Sequence, residues 1–205
     1  MKRLCLLILS LSLLLTALVG CDRSYDEAEV KAAAEELLQK SILVNEIFYG
    51  TGMEYDEKSS AAIGHYCPVE KEYLDSIGIS TTDGLRNLTK GVYTDALCEI
   101  IFSTKLESLR DSEGNVISFR RYYDGKVNGV GYLMAYTEAD VRYDNTVEYL
   151  YETLTVTGAD GEHINIEIDV LLTSTVGQTR TTRVEFSLLE EKGEFRLDTL
   201  SFVKF

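Results

Sequence analysis

Tryptophan is absent from this 205-residue chain, proline occurs once, at Pro68, and histidine twice, at His65 and His163. A single proline leaves no room for a Pro-rich spacer. The few histidines and cysteines are too widely spaced to make a zinc pattern. Basic residues are scarce as well: 20 Lys and Arg stand against 34 Asp and Glu, a formal net charge of −14. So acidic a chain is repelled by nucleic acid and by anionic headgroups, and no nucleic-acid partner is expected. There is no phosphate loop ending in Gly-Lys-Ser/Thr, no serine nucleophile elbow and no His-Glu-x-x-His. These motifs therefore call for no cofactor and no metal. Past residue 20 there is also no second long apolar run.

The first 20 residues are different. Lys2 and Arg3 precede an apolar run over residues 4–19, broken only by Ser10, Ser12 and Thr16. A charged start and a short apolar core are what export machinery reads, and the run is short for a membrane span. Its end, Leu18-Val19-Gly20-Cys21, resembles the lipobox of bacterial lipoproteins. The resemblance implies cleavage after Gly20 and diacylglycerol on the Cys21 thiol. Two acyl chains anchor stably where one is marginal. The resemblance thus implies an extracytoplasmic protein, lipid-anchored to the cell membrane through Cys21. Residues 1–20 are then the signal, 21–26 a short tether and 27–205 one domain. Losing Lys2 and Arg3 leaves 18 bases against 34 acids, so the mature formal charge is −16.

About 185 residues suffice for one well-buried domain. Residues 27–49 read as a helix, with Val30, Ala34, Leu37, Ser41, Val44 and Phe48 on one stripe. Asp26 caps it and Gly50-Thr51-Gly52 ends it. Residues 50–81 read as irregular, with a turn of helix near 59–63, an extended run before Pro68 and a short helix over 70–77. A second long helix is expected over 83–104. From residue 115 the period changes to two. Strands are expected over 115–123 and 126–137, joined by a hairpin at Asp124-Gly125, with Gly129 and Gly131 marking a bend or bulge. Further strands follow over 146–157, 163–172 and 182–188, and a closing strand after the turn Glu191-Lys192-Gly193-Glu194. Helices first, then about six antiparallel strands, predict an α+β fold in which N-terminal helices pack on one strongly curved sheet.

That element order resembles the nuclear-transport-factor-like, or cystatin-like, cone fold. The resemblance is most specific over residues 186–197, where an apolar strand, an acidic-glycine turn and the return Phe195-Arg196-Leu197 look like its closing hairpin. It implies helices packed into the concave face of a bent sheet. The family includes acid–base enzymes and many binding or assembly domains, so fold alone does not choose a function. No motif here carries the enzymes' residues over to this sequence.

Two function classes follow. The first is a non-enzymatic domain at the envelope, binding a small ligand or an envelope protein. The second is a cone-fold lyase, isomerase or hydrolase-like enzyme using a pocket His or carboxylate. The candidate pocket residues are His65 and its neighbour Tyr66, Tyr93 on the second helix, Arg120 beside Arg121, Tyr132, and Glu148 on a strand face with Glu152. The catalytic class needs His65 or Glu148 in a closed pocket with a shifted pKa; on an open surface either is an ordinary solvated group. Cys5 leaves with the signal and Cys21 carries lipid. Cys67 and Cys98 are left, either bridged or as two buried free thiols.

Overall fold

The computed structural model describes residues 25–160 and 162–205. The signal, Cys21 and most of the tether lie outside the described residues. The protein is mixed α and β, as expected. Helix α1 (Glu27–Tyr49) forms where its stripe places it. Val30, Ala34, Leu37, Ser41, Val44 and Phe48 are buried, while Glu27, Glu29, Glu35 and Glu36 are exposed. The Asp26 carboxylate accepts from the Ala28 N–H at 2.9 Å, satisfying one of the orphan donors of the first turn. Three shorter helices follow: α2 (Lys71–Ile77), α3 (Thr82–Lys90) and α4 (Asp95–Lys105). Residues 59–63 form turns rather than helix.

The single helix expected over 83–104 is two. Gly91 closes α3, its N–H donating to Asn87 O. The Thr94 hydroxyl opens α4 by accepting from Leu97 N–H at 3.4 Å. Between them Tyr93 bridges Leu197 in parallel. Leu197 N–H donates to Val92 O at 2.9 Å and Thr94 N–H to Leu197 O at 3.0 Å. The C-terminal strand thus supplies backbone partners to Val92 O and Thr94 N–H across the break.

The strands are β1 (Tyr66–Pro68), β2 (Leu109–Arg110), β3 (Val116–Ser118), β4 (Tyr122–Val127), β5 (Val130–Tyr136), β6 (Thr146–Asp160), β7 (His163–Thr173), β8 (Thr179–Glu191) and β9 (Glu194–Leu197). They do not form the one sheet of about six strands that the sequence suggests. They form three antiparallel sheets, ordered β1-β5-β4, β2-β3 and β6-β7-β8-β9. The reason is that β5 has no free edge: β4 pairs with one side and β1 with the other, so β6 starts a new sheet. Pro68 sits on β1, an edge strand, where a missing N–H is tolerated.

The expected hairpin at Asp124-Gly125 is also displaced. Both residues lie inside β4, opposite Leu133 and Tyr132. The backbone turns instead at Asn128-Gly129, with φ of 50° and 86°, the left-handed pair a two-residue turn requires. Asp124 is engaged elsewhere. Its carboxylate accepts from Thr82 N–H at 3.0 Å and Thr82 hydroxyl at 2.5 Å, tying β4 to the start of α3.

The larger sheet carries the alternation that the sequence shows. Ile164, Ile166, Ile168, Val170 and Leu172 of β7 are at most 1 % exposed, and Phe186, Leu188 and Leu197 extend the same face. Helix α1 packs against β6 and β9, and its buried stripe joins these residues in one core. Among the described residues no helix is long and apolar enough to cross a membrane.

One glycine is fixed by what surrounds it. Gly52 has φ of +89°, and a Cβ there would stand 2.7 Å from Arg121 Nη2 and 2.8 Å from the Tyr122 hydroxyl. Gly52→Ala is expected to cost about 2 kcal/mol through backbone strain and that collision. Urea unfolding checks it; an unchanged midpoint would show that neither constraint is real.

Candidate functional site

The last turn of α1 contains no basic residue, yet its carbonyls are all satisfied. Gly50 N–H reaches Asn45 O at 3.0 Å and Gly52 N–H reaches Glu46 O at 3.1 Å. The Tyr122 hydroxyl donates to Ile47 O at 2.9 Å, and Arg142 N–H to Tyr49 O at 2.7 Å. Arg121 completes the set: Nη2 donates to Gly50 O at 2.6 Å, and Nη1 to Phe48 O at 3.4 Å and Asp140 O at 3.1 Å. Arg121 is 4 % exposed. No carboxylate of the described residues lies within ion-pairing distance of it. The negative end of α1 and fixed carbonyl dipoles stabilise its charge in place of an acid.

Lys105 ends α4 beside this arginine, and its backbone carbonyl accepts the Arg121 N–H at 2.6 Å. Its ammonium lies 4.9 Å from the centroid of the Tyr49 ring. Burial, then the charges of Arg121 and Arg142, push Lys105 down to about 8, with Asp140 acting the other way. A pocket of about 260 Å³ opens over Lys105 and Arg121, with Ile117, Phe119, Tyr136, Glu138 and Asp140 in its wall.

An aromatic cluster borders that pocket. Phe119 stacks on Tyr136 at 5.1 Å, and Tyr66 lies 5.2 Å from Tyr136 and 4.8 Å from Tyr123. The Arg120 guanidinium covers Tyr123 at 4.3 Å. The Tyr66 hydroxyl donates to Arg120 O at 2.8 Å, fixing β1 to the stretch before β4. His65 Nδ1 stands 2.9 Å from Glu138 Oε1, and both side chains are more than half exposed.

Three of the six residues singled out in the sequence thus converge: His65, Tyr66 and Arg120. The other three lie elsewhere. Tyr132 is half-buried on β5 and lines a separate open groove with Val69, Glu70 and Leu133. Glu148 is exposed on β6. Tyr93 is 1 % exposed inside the fold. Its hydroxyl donates to Asn45 Oδ1 at 2.7 Å and lies 2.9 Å from the Ser201 hydroxyl, which accepts from Asn45 Nδ2 at 2.8 Å. Tyr149 donates to Ser201 O at 2.7 Å. Burial pushes the Tyr93 phenol up to about 12 and raises that of Tyr149 as well. These phenols stay protonated and join α1, β6 and the C-terminal segment, which is a packing role.

Acid–base chemistry needs a closed pocket around a His or carboxylate. His65, Glu148 and His163 all face outward, His163 beside Asp198 at 3.2 Å. Cys67 and Cys98 are buried free thiols, so a bridge between them is not formed. Cys98 Sγ sits 3.5 Å from Tyr93 O, and burial pushes its thiol up to about 11, away from reactive thiolate character. Among the described residues no group of His, Cys, Asp and Glu could hold a metal ion.

Sequence reasoning missed Lys105, Phe119 and Glu138. A lysine in the last turn of a helix reads as an ordinary dipole complement, so nothing marks Lys105. Arg121 was visible only as half of the Arg120-Arg121 pair. The sequence matches no known family model and no curated protein.

Proposed function

We propose that this protein is lipid-anchored and extracytoplasmic, and that its domain binds a ligand or an envelope protein without transforming it. The observation that carries the binding half is the apolar filling of the sheet's inner face; the pocket of about 230 Å³ lined by Asn45, Tyr149 and Ser201 has no histidine in its wall. The face where a cone-fold enzyme would hold its substrate is occupied by Ile164, Ile166, Ile168, Phe186 and Leu188, which share one buried core with the α1 stripe. The polar groups among them, Asn45, Tyr93 and Ser201, are hydrogen-bonded to one another. The outward positions of His65 and Glu148 tell against the catalytic alternative. For the finer shape we take a variant of the nuclear-transport-factor-like cone; the support is α1 lying on β6 and β9, with the β8–β9 hairpin closing the sheet.

The anchoring half rests on Leu18-Val19-Gly20-Cys21 and the charged, apolar stretch before it. The mature charge of −16 keeps the domain off anionic headgroups and nucleic acid, so lipid on Cys21 is the tether to the membrane. Cys21→Ser is expected to abolish incorporation of a labelled fatty acid and to release the protein from the membrane fraction. Retention of label in that variant would remove the anchoring half. For the binding half, purified protein is expected to leave deuterium exchange of an enolisable ketone at the buffer rate. Catalysed exchange would contradict it.

A further inference from the structure

We propose that the pocket over Lys105 binds a carboxylate carried on an aromatic or similarly apolar body, with the Lys105 ammonium taking the charge and Phe119 and Tyr136 the body. This rests on the binding reading above and names the ligand class.

The pocket's two acids lie beside other groups: Glu138 beside the His65 imidazole at 2.9 Å, with the Tyr136 hydroxyl donating to it at 3.3 Å, and Asp140 beside Arg142 at 3.6 Å. Among the described residues no carboxylate lies within ion-pairing distance of the Lys105 ammonium, and its contact is the Tyr49 ring. Arg121 adds a second positive charge with no acid partner, its guanidinium fixed on backbone carbonyls. A half-buried ammonium crowded by arginines is destabilised in its charged form, which is why Lys105 is pushed down to about 8. An anion placed on it would relieve that repulsion.

Part of the pocket wall is apolar and exposed: Ile117 is 70 % exposed and Phe119 47 %. Phe119 is already stacked on Tyr136, so a platform for a ring or acyl body exists before any ligand arrives. At about 260 Å³ the pocket suits a small acid or the end of a longer molecule rather than a large cofactor. A free acid and the C-terminus of a peptide present the same chemistry.

The test is a ligand-observed NMR titration of full-length, membrane-extracted protein in detergent. The probes are 3-phenylpropionate and its amide, and acetyl-Gly-Gly-Phe and its amide. Each acid is expected to bind roughly tenfold or more tightly than its amide. Lys105→Met should erase that preference, and Lys105→Arg should keep it. Comparison with the variants cancels partition into micelles. Comparable binding of the two acids supports a free acid as the source, and a much tighter peptide supports the C-terminus of a polypeptide. Equal binding of acid and amide, a preference surviving in Lys105→Met, or no binding by any probe would overturn the proposal. Loss of fatty-acid labelling at Cys21 does not enter this readout, so anchoring and ligand class fail separately.

Discussion

Arg121→Met is expected to destabilise the domain by about 3 kcal/mol and lower its melting temperature by roughly 10 °C. Replacing a buried charge by a hydrophobe is often neutral when both partners of an ion pair are removed. Here the partners are backbone carbonyls, which no substitution removes. Without Arg121, Gly50 O loses a bond of 2.6 Å and Phe48 O and Asp140 O lose longer ones. Each carbonyl left dry costs about 1–3 kcal/mol. Methionine fills part of the space and offers no donor. Arg121→Lys keeps the charge without the planar fork, so its loss should fall between wild type and Arg121→Met. Urea and thermal unfolding of the three proteins check the order. Equal stability of all three would mean that the end of α1 is held by packing alone.

Asn45→Ala is the second large effect, expected at about 2–4 kcal/mol. Asn45 is 2 % exposed and serves both sides of the buried network, accepting from Tyr93 and donating to Ser201. Alanine deletes both bonds and leaves a void. Tyr93→Phe removes one hydroxyl at nearly constant shape and should cost about 1–2 kcal/mol. The two residues share a bond, so the double variant should cost less than the sum. The loss should also be local first. Ser201 belongs to the C-terminal segment, and beside it Phe202 stacks on Tyr49 at 4.8 Å and on Tyr143 at 5.7 Å. Hydrogen exchange in Asn45→Ala should therefore rise in residues 198–205 before it rises in β7. Additive losses with no change in that segment would show that the three groups are not one network.

What the sequence made legible divides by range of interaction. Helix α1 could be read because its stripe, its Asp26 cap and its glycine exit all lie within one local window. β7 could be read because strict alternation from Ile164 to Leu172 needs no knowledge of its neighbours. The failures are long-range. The break between α3 and α4 is held by Leu197, a hundred residues on, while Val92 and Tyr93 continue a helical stripe locally. Asp124-Gly125 and Asn128-Gly129 are equivalent turn signals on their own. The carboxylate of Asp124 is committed to Thr82, so the second dipeptide makes the turn. The three-sheet arrangement depends on β1, a strand of three residues ending in Pro68 that carries no pattern of its own. The site divides in the same way. His65-Tyr66 and Arg120-Arg121 were visible as local oddities, and their meeting depended on β1 pairing with β5. Lys105 acquires its unusual setting only from Arg121, Arg142 and Tyr49, none of them near it in sequence.

The apolar filling of the sheet's inner face is the ground on which binding is preferred to catalysis, and crystals of the protein under xenon pressure probe it directly. Dry apolar cavities take up xenon, and a packed core does not. If Ile164, Ile166, Ile168, Phe186 and Leu188 fill the inner face as described, no xenon should appear between α1 and the β7–β8 part of the sheet. A well-occupied xenon site there would reveal an enclosed chamber on the inner face, contradict the binding reading and return the cone-fold enzyme to first place.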